Sequence, residues 1–363
     1  MLRPFALVLL LLCHAVPVWA QSVAFINPGR SNEAYWVAAA EAMAQASKSL
    51  GMSLEVRYAE RDHLKALDIA RELAERPQAE RPEYVVVSND YATGGEILRL
   101  LNGSGIQVLM AFSGIHGADR RLTGGPRENY PFWLGSLEPR AEDAGYLTAK
   151  TLIDKGRSAG LQASDGRLHL LAIAGDRSTP SSSARNSGMQ RAVSESRDVV
   201  LDQLVYAGWS LEKAALKADW LFARHASARL VWAGSDQMAF GAMQAWRRRG
   251  GTPGKDALFS GINTSVQAMQ AIERGELSAL AGGHFMAGAW AMVLIHDHAH
   301  GHDFVDEGLE QVVPMFILFD DALAQRFLQR FSGRSAPLDF CQYSKACNPK
   351  LKEYDFNFVN LLR

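Results

Sequence analysis

The stretch Ser22–Gly51, SVAFINPGRSNEAYWVAAAEAMAQASKSLG, decides how the chain is read. Val23 to Asn27 is a short apolar run ended by Pro28-Gly29, the composition of a strand buried on both faces. Glu33 to Leu50 carries its apolar residues at helical spacing, and Gly51 supplies the stop that ends many helices. A buried strand, a turn and a helix make one unit of a parallel sheet with crossover helices.

The unit recurs along the chain. Leu54 to Tyr58, Tyr84 to Ser88 and Gln107 to Phe112 read as strands, with helices from His63 to Arg76 and from Gly94 to Ser104 between them. A second series follows a Gly/Pro-rich stretch from Thr123 to Pro131. Its strands are Leu168 to Ala174, Leu201 to Tyr206, Leu230 to Ala233 and Ala257 to Gly261. Its helices are Arg140 to Lys155, Ser183 to Ser196, Leu211 to Arg224 and Asp236 to Arg249. Two α/β folds hold such a pattern, a closed eight-stranded barrel or two doubly wound sheets facing one another. The strand ends separate them, because barrel enzymes gather lysines, carboxylates and histidines there. Here the ends read Asn27-Pro28-Gly29, Ser88-Asn89-Asp90, Phe112-Ser113, Gly175-Asp176, Gly208-Trp209, Ser235-Asp236, Asn263-Thr264 and Gly283-His284. They offer aromatic faces and hydrogen-bonding groups, with no lysine and no nucleophile beside a base, which is the lining of a ligand cleft. The expected architecture is two doubly wound parallel-sheet α/β lobes joined by three crossovers, near Ser136, Gly283 and Val313. One lobe then comprises 21–136 and 284–313, the other 137–283 and 314–363.

Residues 1–20 read as an export signal: Arg3 gives the positive start, Phe5 to Leu12 the apolar run, and Val18-Trp19-Ala20 a small-residue site cut after Ala20. The run falls short of the roughly 20 residues a spanning helix needs, so no membrane insertion is expected. A lipid anchor on Cys13 is disfavoured, since Leu10-Leu11-Leu12 lacks the small residue such sites use. Of 363 residues 343 remain after cleavage, enough for two domains, and they are expected in the periplasm. Loss of Arg3 takes the formal charge from −1 to −2, which gives no footing for nucleic acid.

Cys341 and Cys347, in an oxidising compartment, are expected to form a local disulfide that pins the tail. His296, His298, His300 and His302 invite a metal reading, but on a helix only pairs four apart share a face. A polar helix end entering a loop at Gly301 accounts for them, so neither metal nor cofactor is expected. Gly251 to Asp256 has the wrong spacing for a phosphate loop, and Ser210 with Lys213 lacks the rest of a serine-lysine site. No enzymatic signature is present.

Several pieces, in chain order, resemble the ribose-binding type of periplasmic solute-binding protein. They are Asn27-Pro28-Gly29 with Glu33-Ala34-Tyr35-Trp36-Val37, then Ser183-Ala184-Arg185 with Gly188-Met189, then Ala207-Gly208-Trp209. Gly234-Ser235-Asp236 with Met238 to Ala242, and Gly261-Ile262-Asn263, complete the set. The resemblance covers nearly the whole mature chain. Pro28-Gly29 with Tyr35-Trp36-Val37 looks closest to the branch that holds the receptor for the furanosyl-borate autoinducer. What the resemblance implies is a monomeric, non-enzymatic receptor that closes two lobes on a small, sugar-like ligand. Its partner would be an ABC permease, or a membrane sensor kinase or cyclase.

The same resemblance implies roles. Tyr35 and Trp36 match paired aromatics that stack on a sugar, with one facing the ligand, Trp36 in preference, and the other in the core. Trp209 forms the opposite wall. Arg185 donates hydrogen bonds to ligand oxygens. Ser235, Asp236 and Asn263 both cap helices and receive hydroxyl groups, and Asn89 joins them from the end of its strand. Departures fall at Phe112-Ser113, where ribose binders carry Asp-Arg, at Glu33, where they carry Asn, and at Gly282-Gly283-His284, where only His284 can hydrogen-bond. Ribose is therefore not expected. Glu33 either faces the cleft, favouring a donor-rich or cationic group, or interacts with the dipole of its own helix.

Overall fold

Strands that are apolar on both faces need cover on both faces, and this chain supplies it with a helix after nearly every strand. In the computed structural model, which describes residues 21–331 and 337–362, the order is β1 (Ser22–Asn27), α1 (Ala34–Ser49), β2 (Ser53–Tyr58), α2 (His63–Glu75), β3 (Tyr84–Val87), α3 (Gly94–Leu101), β4 (Gln107–Ala111), α4 (Gly117–Thr123) and β5 (Trp133–Pro139). The second series is α5 (Ala141–Ser158), β6 (Leu168–Ala174), α6 (Pro180–Ser194), β7 (Val199–Tyr206), α7 (Leu211–Arg224), β8 (Leu230–Ala233), α8 (Asp236–Arg248), β9 (Leu258–Ile262), α9 (Val266–Glu273) and β10 (Ala279–Gly282). The chain then returns through α10 (Ala287–Ala299) and β11 (Glu310–Val313) and crosses again to β12 (Ile317–Leu318) and α11 (Asp321–Phe331). The expected export signal lies outside the described residues, and none of the described helices is long and apolar enough to cross a membrane.

Two six-stranded sheets result, ordered β11-β5-β4-β3-β1-β2 and β12-β10-β9-β8-β6-β7. The first is parallel throughout, and the second is parallel except for β12, which runs antiparallel to β10. This is the expected pair of doubly wound lobes, crossed three times by the chain. Ser136 stays inside the first sheet, paired with Met110 and Glu310, and β5 runs on to Pro139 before the chain leaves. Period-two alternation sorts the strand residues: Ala24 and Ile26 pack with Ile69 and Leu98, whereas Val23 and Phe25 pack with Met43 and Trp290 on the opposite face.

Helices α5 and α6 cross very closely, because glycines stand at the contact. A Cβ on Gly188 would lie 2.0 Å from the Glu142 carbonyl oxygen, and one on Gly145 would lie 1.9 Å from that of Arg185. The crossing therefore sets where Arg185 sits on α6.

The sequence-based division gave everything after 313 to the second lobe, yet much of the tail lies on α10, whose other face covers the first sheet. Phe340, Tyr343 and Phe356 surround Trp290 at ring separations of 5.6, 4.8 and 5.3 Å. The fully buried Asp297 carboxylate accepts from the Lys345 amide at 2.7 Å, the Ala346 amide at 3.1 Å and the Tyr354 hydroxyl at 2.9 Å. A disulfide between Cys341 and Cys347 closes the loop that presents those amides. Apolar periodicity assigns a helix to no lobe, and the tail follows the rings it can bury.

The four histidines serve separate contacts: His296 with Ser344, His298 with Tyr84, and His300 with the carbonyl of His296, while the His302 amide donates to the Asp297 carbonyl. Among the described residues no group of three or more His, Cys, Asp or Glu is arranged to hold a metal ion. The close helix crossing predicts that Gly188→Ala costs about 1–3 kcal/mol through overpacking against backbone that has no room to shift. A thermal melt should show a lowered midpoint, and an unchanged one would contradict the crossing.

Candidate functional site

In each sheet the chain order reverses beside one strand, β1 between β2 and β3 in the first and β6 between β7 and β8 in the second. Open α/β sheets bind ligands outside the carboxyl ends of the strands at such switch points. Here the two sets of strand ends face each other across one cavity. Glu33, Tyr35, Trp36 and Phe112 line it from the first lobe, Arg185, Trp209, Ser235, Asp236 and Asn263 from the second, and His284 from the middle crossover.

Asn89 is the exception among the expected residues. Its amide donates to the Gly114 carbonyl at 2.9 Å and its oxygen accepts from the Gly94 amide at 2.8 Å, so both ends of the side chain tie down the loop before α3. Its neighbour Asp90 lines the cavity instead, together with Ser113, both named above only as part of strand ends or departures, and with Arg61, Thr179, Ser181 and Gln237, which the sequence reading did not single out. Arg61 belongs to no motif and reaches the cavity from the turn after β2. Its one local signal is a backbone conformation invisible in sequence.

That conformation is shared. Arg61, Phe112, Trp209 and Asn263 all have positive φ, at 62°, 72°, 63° and 114°, and all four line the cavity. Left-handed backbone at bulky side chains is uncommon, costs of order 1–3 kcal/mol, and gathers where a site dictates side-chain direction. Glycines make room beside them. Trp36 lies against Gly29, where a Cβ would fall 2.0 Å from its ring, and Trp209 against Gly175, where one would fall 2.3 Å away.

The first-lobe wall is a packed aromatic group: Trp36 meets Phe112 edge-on at 5.0 Å and Tyr35 at 5.0 Å. Both Tyr35 and Trp36 border the cavity, Trp36 being the more deeply buried. Tyr35 also stacks on His284 at 4.7 Å, and His284 on Phe316 at 4.4 Å, so this column joins the first lobe to two crossovers.

Charges are arranged in two groups. Arg61 bridges Glu33 through Nε at 2.9 Å and through a second, short contact from Nη2 to Oε1, and it reaches Asp90 at 3.4 Å. Glu33 thus turns to the cleft side, but its carboxylate is taken up by Arg61 and asks for no cationic ligand. Burial pushes the Asp90 carboxyl up, and Arg61 opposes that. In the second lobe the Asp236 carboxylate accepts from the Gln237 amide at 2.8 Å and the Asn263 side chain at 3.0 Å, while Ser235 caps α8 by accepting from the Met238 amide. Burial raises the Asp236 carboxyl, with the hydrogen bonds from Ser265 and Asn263 opposing it.

Arg185 is buried and donates through Nη1 to the Gly234 carbonyl at 2.7 Å and through Nη2 to His284 Nε2 at 2.9 Å. Burial draws its guanidinium down to about 10, still charged at neutral pH. A guanidinium only donates, so His284 Nε2 must accept and the ring proton must sit on Nδ1. Burial, and then the Arg185 charge, hold His284 well below the usual histidine range, which keeps the ring neutral. Four N–H groups on cavity residues find no acceptor among the described residues: Trp36 Nε1, Trp209 Nε1, Arg185 Nε and His284 Nδ1. The Thr179 hydroxyl is likewise without a partner among them.

The state of His284 has a measurable consequence. Its folded-state pKa lies below the unfolded one, so between the two the unfolded chain binds a proton that the folded protein excludes. That component of stability is present above about pH 6.5 and is lost as pH falls below it. His284→Gln should remove the component, and the difference between wild-type and variant melting midpoints should shift from pH 8 to pH 5. A difference independent of pH would show that His284 is not held neutral.

The Periplasmic binding protein domain family matches residues 23–303. A periplasmic sugar-binding protein from Pseudomonas fluorescens is 37% identical, covering 94% of this chain and 100% of its own, with a TM-score of 0.85. The fold is shared, at 16% identity, with the periplasmic binding component of the arabinose ABC transporter from Shewanella sp. ANA-3, bound to α- and β-L-arabinofuranose. That match covers 85% of this chain and 95% of the other, with a TM-score of 0.68. An ABC transporter solute-binding protein from Actinobacillus succinogenes 130z with bound D-allose matches at 16% identity over 84% and 98% of the two chains, with a TM-score of 0.70. No curated protein matches the chain. The family match over most of the chain and the Pseudomonas relative along nearly its whole length agree with the facing strand ends and the cavity between them, and the chain belongs to the periplasmic binding protein domain family.

Proposed function

We propose that this protein captures a small, sugar-like ligand between its lobes in the periplasm, after cleavage behind Ala20, and delivers it to an ABC importer. The observation that carries the reading is the cavity itself, in which aromatic faces stand beside buried N–H groups that have no acceptor among the described residues. A sugar ring has C–H faces for Trp36 and Trp209 and oxygens for Arg185 and His284. The names of the similar proteins, a periplasmic sugar-binding protein and sugar-bound transporter components, support the same class of ligand.

Polar groups from both walls bind the closed form better than the open one, and that difference in affinity drives closure. The lobes that move are 21–139 with 284–313, since β5 stays in the first sheet to Pro139, against 140–283 with the strand and helix that follow, and the protein acts as a monomer. The cavity binds and does not react, because its hydroxyls and carboxylates form no pair of nucleophile and base. Presentation of a signal to a membrane sensor uses the same closure. It rests on Pro28-Gly29 with Tyr35-Trp36-Val37 alone, and importer delivery has the wider support.

Titration calorimetry with L-arabinose, D-galactose, D-allose and D-ribose should find a member of the panel binding at micromolar Kd or tighter, with X-ray scattering showing compaction. Trp209→Ala should weaken that binding at least tenfold, about 1.4 kcal/mol. Absence of both heat and compaction across the panel and its acidic analogues would overturn the reading.

A further inference from the structure

We infer that the ligand is an acidic sugar, a uronic or aldonic acid, whose carboxylate is received by Arg185 and His284. The inference rests on the reading of the cavity as a sugar site and narrows it to one chemical class.

The groups that line the cavity are unevenly satisfied. All three carboxylates already have partners: Glu33 is held by Arg61, Asp90 by Ser88 and Arg61, and Asp236 by the Gln237 amide and Asn263. Among the described residues four of the five unpartnered groups on cavity residues can only donate, and the fifth, the Thr179 hydroxyl, can donate or accept. Arg185 Nε, Trp36 Nε1 and Trp209 Nε1 can only donate, and His284 Nδ1 can only donate once its Nε2 accepts from Arg185. What these four donors lack is an acceptor in contact with them.

The charge of Arg185 points the same way. Arg185 is 5% exposed, and its two hydrogen-bond partners, the Gly234 carbonyl and the neutral His284 ring, carry no charge. Arg61, the other guanidinium in the cavity, has two carboxylates; Arg185 pairs with none among the described residues. Asp90 and Asp236 act on it only through space, a buried charge with no carboxylate in contact is poorly compensated, and a carboxylate oxygen is the strongest acceptor for a guanidinium. A ligand carboxylate brings two acceptor oxygens and no hydrogen, whereas every hydroxyl of a neutral sugar also brings a donor. The remaining hydroxyls of an acidic sugar would face Asp90 and Asp236, which hold lone pairs beyond their present bonds.

The test is calorimetry of the mature chain with D-galacturonate, D-glucuronate and D-gluconate against D-galactose, D-glucose and D-glucitol at neutral pH. At least one acid should bind with a Kd at least about tenfold below that of its neutral counterpart. Arg185→Gln should reduce that ratio to within about twofold. His284→Phe, which keeps the ring stack with Tyr35 and Phe316 but removes both nitrogens, should do the same and decides the matter if the first variant does not fold. A neutral sugar that binds as tightly as its acid, or an acid advantage that survives in the folded variants, would overturn the inference and leave the sugar reading standing. Failure of every compound in both series would overturn the two together.

Discussion

The contact on which the site depends is the one from Arg185 to the Gly234 carbonyl and to His284 Nε2, at 2.7 and 2.9 Å. It joins three parts of the chain that are far apart in sequence: a helix of the second lobe, the end of one of its strands, and the middle crossover. Through His284 it reaches Tyr35 on the first lobe and Phe316 on the last crossover, because the three rings stack in one column. The contact also fixes chemistry. By occupying Nε2, the guanidinium decides which nitrogen of His284 holds the proton, and burial keeps the ring from taking a second one.

Arg185 holds this position because of residues that never touch the cavity. Gly145 and Gly188 let α5 and α6 approach until a single methyl group would collide with backbone, and Arg185 lies between them on that surface. Gly29 and Gly175 do the same for Trp36 and Trp209, and the left-handed backbone at Phe112, Trp209 and Asn263 turns those side chains inward. Local strain and missing side chains therefore serve one purpose, which is to bring flat apolar faces and buried donors into a narrow space between two rigid sheets.

At the far end of α10 the tail is fastened by different means. Asp297, with no exposure, gathers backbone amides from the disulfide-closed loop and a tyrosine hydroxyl, and Trp290 accepts three rings around it. These contacts lie on a helix packed against the first sheet, while β12 and α11 belong with the second. The last part of the chain is thus shared between lobes.

Much of this was legible in the order of residues. Apolar runs of four to eight residues bounded by glycine and proline marked β1, β6 and β8 to within a residue, because strands buried on both faces leave a continuous signal. The resemblance to the ribose-binding type led to Trp36, Arg185, Trp209 and Asp236, and the fold brings them together because in a doubly wound sheet the strand ends and the helix starts that follow them face the same crevice. The sequence by itself therefore determined the layered α/β architecture and most of the cavity's aromatic lining. Only the tertiary structure decided how polar groups are paired. Asn89 is withdrawn into loop hydrogen bonds, Asp90 and Arg61 enter the cavity, Glu33 is neutralised by Arg61, and His284 receives its proton pattern from Arg185. Hydrophobic periodicity is a property of neighbours along the chain, whereas Arg185 and its partner His284 are separated by 99 residues and are brought together by distances that only the folded chain defines.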